Sequence, residues 1–94
     1  MRVIELTSTF KRDYKRITKG RHRKMLEGDD FKAVVMALAD DQPLAEKHQD
    51  HALRGEWNDH RDCHIKPDLV LICRKPDNAV LQLVRLGTHS ELGL

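Results

Sequence analysis

Ninety-four residues, 39% hydrophobic and 34% charged, suffice for one domain with a thin core and are too few for two. A mean hydropathy of −0.62 and the lack of any apolar run near about 18 residues exclude a membrane-spanning helix. The N-terminal MRVIELTSTF lacks the continuous apolar stretch of a signal peptide, so the expected compartment is the cytoplasm. The net charge of +2 hides a split. Residues 1–24 hold nine Lys/Arg against two acids, whereas residues 25–94 hold eight against thirteen. A basic third points to phosphates or an acidic protein partner; the plainer alternative is a solvated helix face.

Val3-Ile4-Glu5-Leu6-Thr7 predicts a short strand from its β-branched content. Ser8 or Thr9 can cap a following helix, because either hydroxyl accepts from first-turn N–H groups. Phe10, Tyr14 and Ile17 recur at i, i+4, i+7 as one apolar stripe, with Lys11, Arg12, Lys15, Arg16 and Lys19 off it and Gly20 ending the helix. A second helical segment covers about 21–41, with Met25, Leu26, Val34, Val35 and Leu38 as its apolar positions. Gly28 interrupts it, Asp29 or Asp30 can cap a fresh start, and Pro43 stops it. Residues 42–56 form a long connection, of a length that is often functional.

Three strands follow, at about 57–64, 69–75 and 79–86, parted by the turn signals Pro67-Asp68 and Pro76-Asp77-Asn78. The middle strand, Leu69-Val70-Leu71-Ile72-Cys73, is continuously apolar and is expected to be covered on both faces. The order β-α-α-β-β-β predicts an α+β fold: two helices packed on one face of an antiparallel sheet, with the other face open. Two cysteines are too few for a disulfide framework. A hairpin register placing Cys63 opposite residue 70 keeps it from bonding Cys73, so both read as reduced thiols.

The chemistry concentrates in His48–Asp68, HQDHALRGEWNDHRDCHIKPD, which holds four of the six histidines, four aspartates and the only tryptophan. His89 is a fifth candidate for the same site. The spacings His48-x2-His51 and His60-x3-His64 are ones zinc sites use. On a strand, however, His60 and His64 would lie about 13 Å apart, so no metal and no cofactor are expected. Acid–base cleavage of RNA fits better. It needs a base for the 2′-OH, an acid for the leaving 5′-oxygen and a cation at the phosphorane. Histidine, with an ordinary pKa near 6.5, suits the first two roles, and arginine suits the third. Surface histidines on an interaction module are the remaining explanation.

The run DHALRGEWNDHRDCHIKPDLVLIC, followed by LVRLGTHSEL, resembles the YafQ type of RelE-superfamily toxins, which are small mRNA interferases of type II toxin–antitoxin systems. The shared pattern is DH-x-L-x-G-x-W, then RD-x-H-x-x-PD, an apolar strand, and R-x-GTH. The resemblance implies a RelE-like microbial RNase fold and ribosome-dependent cutting of mRNA in the A site. It also implies silencing by an acidic antitoxin, of the ribbon-helix-helix type that binds operator DNA. The family's catalytic positions fall on His51, His64, Asp68 and His89, with Asp62 in support and Arg85 as the phosphate-contacting arginine. Lys11, Arg12, Lys15, Arg16, Lys19, Arg21, Arg23 and Lys24, with Arg54 and Arg61, are the expected RNA or ribosome contacts. His22, His48 and His60 match nothing in the motif and are expected in solvent. The family tail carries an aromatic after GTH, suited to base stacking; here Ser90-Glu91-Leu92-Gly93-Leu94 has none. A ParE-like binding toxin that inhibits a topoisomerase is the rival, and a pure binder has no need of general acids and bases. Trp57 reads as core packing. Asp62 could instead pair with Arg61, and Asp68 could be only a turn former.

Overall fold

The computed structural model describes residues 1–94, all but the side chain of His51. The elements in chain order are β1 (Val3–Leu6), α1 (Ser8–Lys19), α2 (Asp30–Ala39), β2 (His51–Ala52), β3 (Arg61–Lys66), β4 (Leu69–Arg74), β5 (Val80–Gly87) and α3 (His89–Leu92). They build one sheet in the order β1-β5-β4-β3-β2. The α+β class and the β3–β4–β5 antiparallel meander are as expected. The pairing of β1 with β5 differs, being parallel in the register Val3↔Val80. The sheet is therefore mixed, because α1 and α2 return the chain across it before the meander begins.

Thr7, one residue before the expected caps, joins β1 to α1. Its hydroxyl accepts from Phe10 N–H at 3.0 Å and donates to the Val84 carbonyl at 2.9 Å, so one side chain caps the helix and ties it to β5. The buried residues of α1 are Phe10, Asp13 and Ile17. Tyr14, expected on the stripe, is 39% exposed and leans against Phe10 and Phe31 at ring separations of 6.0 and 5.7 Å. The second helical segment breaks as predicted at Gly28 (φ 84°). Residues 23–26 form only a 3-10 turn, and α2 ends at Ala39, before Pro43. The connection at 42–56 is less open than its composition suggests: it holds the 3-10 turns Glu46–His48 and Gly55–Trp57 (the latter reaching one residue beyond it) and the short strand β2.

The core lies between the helices and the sheet, where Leu69, Leu71 and Cys73 of β4 meet Phe10, Val34 and Leu38. Val70 and Ile72 point the other way and pack with Leu92 of α3, Leu53, Trp57 and Val84. That second cluster explains why β4 is apolar at every position and covers part of the face expected to be open. Trp57 therefore packs as expected, but from a 3-10 turn, since β3 begins only at Arg61. The tight turn pairs Lys66 with Leu69, and the bulge between His64 and Lys66 then sets Cys63 opposite Leu71 rather than residue 70. Cys63 and Cys73 are thus diagonal neighbours, both free and buried. Contact of its S–H with the Cys73 sulfur, together with burial, pushes the Cys63 thiol up, which keeps it unreactive.

Candidate active site

The β3–β4 hairpin and the end of β5 bring three of the expected residues together. His64 sits opposite Val70 of β4, and Val70 sits opposite Gly87 of β5. His64 and Gly87, two residues before His89, thus flank one strand, with backbones about 10 Å apart. The rings of His64 and His89 close the gap: they meet edge to face, with centroids 5.0 Å apart and planes at 87°. Asp68, in the hairpin turn, reaches His89 twice. Its Oδ1 accepts from the ring Nδ1–H at 2.9 Å and from the backbone N–H at 3.2 Å. Those two bonds hold the Asp68 carboxyl below the usual carboxylate range. They also place the His89 proton on Nδ1, leaving Nε2 as the nitrogen that can exchange a proton.

The chain at His89 is itself held. Thr88 and Glu91 form a capping box, with Thr88 N–H donating to Glu91 Oε1 at 2.9 Å and Glu91 N–H to Thr88 Oγ1 at 3.2 Å. Arg16 of α1 pairs with Glu91 at 3.3 Å. A Cβ on Gly87 would stand 3.1 Å from Glu91 Oε1 and 3.4 Å from Arg16 Nη2. Glycine at that position lets the guanidinium and the carboxylate close over the strand. Arg16 also reaches Asp13 at 2.8 Å. Asp13, only 2% exposed, accepts from Arg85 Nε at 2.7 Å, from Arg85 Nη2 at 3.3 Å and from Leu86 N–H at 3.0 Å. Burial alone would raise the Asp13 pKa, but these donors outweigh it and hold the carboxyl low. The buried aspartate was not legible as such: in sequence it looks like one more charge on a basic helix.

Arg85 is therefore anchored on α1 rather than standing in solvent, two residues before Gly87. Asp62 is buried on β3, paired in the sheet with His51 on one side and Ile72 on the other. The backbone of His51 lies in β2 at that register, and its side chain lies outside the described residues. Arg61 is turned away from the site. It pairs with Asp50 at 2.8 Å, and Asp50 also accepts from Cys63 at 3.7 Å, which places all three toward the helix face. Asp62 consequently does not depend on Arg61. Arg54 is exposed. Lys11, Arg12, Lys15, Lys19, Arg21, Arg23 and Lys24 are all exposed, and only Arg16 is committed to internal partners.

The histidines expected in solvent are not there. His60 is half-buried, edge-on to Trp57 at 5.3 Å, and His22 is half-buried. His48 is only 6% exposed, and its Nδ1 lies 2.6 Å from the His64 carbonyl. No periodicity announces this contact, since it joins residues sixteen apart in the chain. Among the described residues, no three His, Cys, Asp or Glu side chains are grouped to hold a metal ion. Among the described residues, no helix is long and apolar enough to cross a membrane either.

The family described as bacterial toxin of type II toxin–antitoxin system, YafQ, matches residues 2–93. The mRNA interferase toxin YafQ of Escherichia coli is 35% identical over 92 residues, which cover 97% of this chain and 95% of that one. Among solved structures, the E. coli DinJ–YafQ complex aligns at 32% identity with a TM-score of 0.80 over 98% of both chains. A metal-bound toxin from Helicobacter pylori aligns at 45% identity with a TM-score of 0.81, over 98% of this chain and 99% of that one. A match this complete, on a fold that gathers His64, Asp68 and His89, shows that the chain belongs to the YafQ toxins of type II toxin–antitoxin systems.

Proposed function

We propose that this toxin is a ribosome-dependent, metal-independent endoribonuclease that cuts mRNA in the A site and so inhibits translation, with the RNA's own 2′-OH as nucleophile. The observation that carries this reading is the His64–His89–Asp68 arrangement. Asp68 fixes the tautomer of His89 and stabilises its imidazolium, so Nε2 can give a proton to the leaving 5′-oxygen or take one from the 2′-OH. His51 or His64 then serves on the opposite side of the scissile phosphorus. Arg85, pre-oriented by Asp13, supplies a fixed positive charge for the phosphorane. A cognate acidic antitoxin, of ribbon-helix-helix type and bound to operator DNA, silences the toxin; a DinJ–YafQ complex in E. coli supports such a partner.

The reading is tested by expressing the toxin in a bacterium and mapping mRNA 5′ ends. New ends should appear at ribosome-occupied codons and vanish for His89→Ala. Undiminished cutting by His89→Ala would refute it. A binding toxin of the ParE kind would stop growth without generating any such ends.

Two further outcomes are expected. Toxin stripped with EDTA and desalted before mixing with intact ribosomes should cut at the parent rate. Loss of activity that stoichiometric zinc or copper restores would establish a resident metal instead. Lys15→Glu/Lys19→Glu should weaken ribosome association and flatten its salt dependence by about 0.7–0.9 in log–log slope per lost phosphate contact. Arg16 is avoided in this test because it also holds Asp13 and Glu91. An unchanged salt slope would remove the basic helix from the RNA-binding surface.

A further inference from the structure

We infer that His48 is a positioning residue: it clamps the β2 segment onto the strand carrying His64, and thereby fixes how that strand presents the His64 ring to His89. The inference rests on the nuclease reading for its kinetic consequence but not for its structural one. Strand β2 pairs with β3 at two positions only, His51↔Asp62 and Ala52↔Arg61. Leu53 N–H donates to the His60 carbonyl at 2.9 Å, so residues 60, 62 and 64 turn their peptide groups toward the β2 side. Beyond Asp62 there is no further strand residue to receive them, and the His48 ring takes that place. A carbonyl only accepts, so the 2.6 Å contact requires Nδ1 to carry the proton and donate to the His64 oxygen.

The bond falls where β3 is least constrained by β4, at the bulge between His64 and Lys66. The surrounding chain is arranged to keep it. Lys66 pairs with Asp30 at the start of α2, and Lys47 stands 3.8 Å from the same carboxylate, so both neighbours of the contact are drawn to one anchor. After His48 the backbone turns sharply through Gln49, whose φ of 44° is a left-handed conformation that glutamine rarely adopts. Asp50 then pairs with Arg61 of β3 at 2.8 Å. The segment 48–52 is thus pinned to β3 by the His48 ring, by Asp50 and by the β2 ladder. His51 lies between two of those pins.

Two substitutions separate the donor from the packing. His48→Phe keeps a buried ring without a donor; His48→Asn keeps a donor near the position of Nδ1 in a smaller side chain. Folded His48→Phe toxin should cut ribosome-bound message with kcat lowered about 10- to 100-fold and half-saturation by ribosomes unchanged, as for a misplacement of about 1 Å. His48→Asn should recover to within a few-fold of the parent despite its larger loss of packing. In NMR spectra of the toxin, the through-space contacts of the His64 ring with His89 should weaken in His48→Phe and persist in His48→Asn. Parent-like kcat and ring contacts in His48→Phe would overturn the inference, as would equal losses in both variants. If the parent toxin cut nothing while the ring contacts still changed as stated, the nuclease reading would fail and the clamp would stand.

Discussion

His64→Ala and His89→Ala are each expected to abolish detectable growth inhibition while leaving melting temperature and antitoxin binding near those of the parent. One positioned general acid or base contributes about 10²–10⁴-fold in rate, and a residual rate that low would not limit growth. The structural cost should be small. The His89 side chain is 38% exposed and its Asp68 partner 57%, and ion pairs this exposed contribute little to stability. Neither truncation opens a cavity in the helix-side core, which contains neither ring. Asp68→Asn should also slow cutting, because the amide no longer stabilises the imidazolium of His89. His22→Ala and His60→Ala should remain toxic. Growth assays, with thermal melts of each purified variant, decide the matter. A folded His89→Ala that still arrests growth at parent levels would contradict the assignment.

The largest effect on stability is expected at Asp13. Removing its carboxylate strands two guanidinium groups and the Leu86 N–H at the junction of α1 and β5. Hydrogen bonds to charged groups contribute about 1.5–3 kcal/mol each, and breaking a buried pair from one side costs about 3–5 kcal/mol. Arg16 and Arg85 are partly exposed and can turn to water, so Asp13→Ala should cost about 3 kcal/mol, or more than about 10 °C in Tm for a chain of this size. The pH dependence has a definite sign. The folded carboxyl titrates below its unfolded value near 3.9, so its contribution is full above about pH 4 and lost as pH falls through the folded pKa. The gap between the melting curves of parent and Asp13→Asn should therefore narrow as the pH falls. A gap that does not change with pH would mean that packing, not charge, stabilises this junction.

Period and turn chemistry made the meander, α1 and the Gly28 break legible, because each is written within a few neighbouring residues. The parallel seating of β1 on β5 was not, since it depends on where two helices return the chain. Thr7 shows the limit on a smaller scale: Ser8 and Thr9 are equally good caps by type, and only the Val84 carbonyl selects Thr7. In the site, the GTH and PD motifs led to His89 and Asp68, and the geometry adds the bonds between them. In sequence His48 reads as a solvent residue, because a buried histidine has no local signature; its partner is a backbone carbonyl on another strand. Arg85 was legible as a residue beside the site but not as one held by Asp13, for the same reason.

Most of this depends on one chemical claim, that the nucleophile belongs to the RNA and the protein supplies only proton transfer and charge. It is tested by giving purified toxin ribosomes programmed with message carrying either a ribose or a single 2′-deoxyribose on the 5′ side of the cut. The ribose message should be cut to leave a 2′,3′-cyclic phosphate, and the deoxyribose message should remain intact at that bond. Equal cutting of both messages, or a 5′-phosphate on the downstream fragment, would contradict the account.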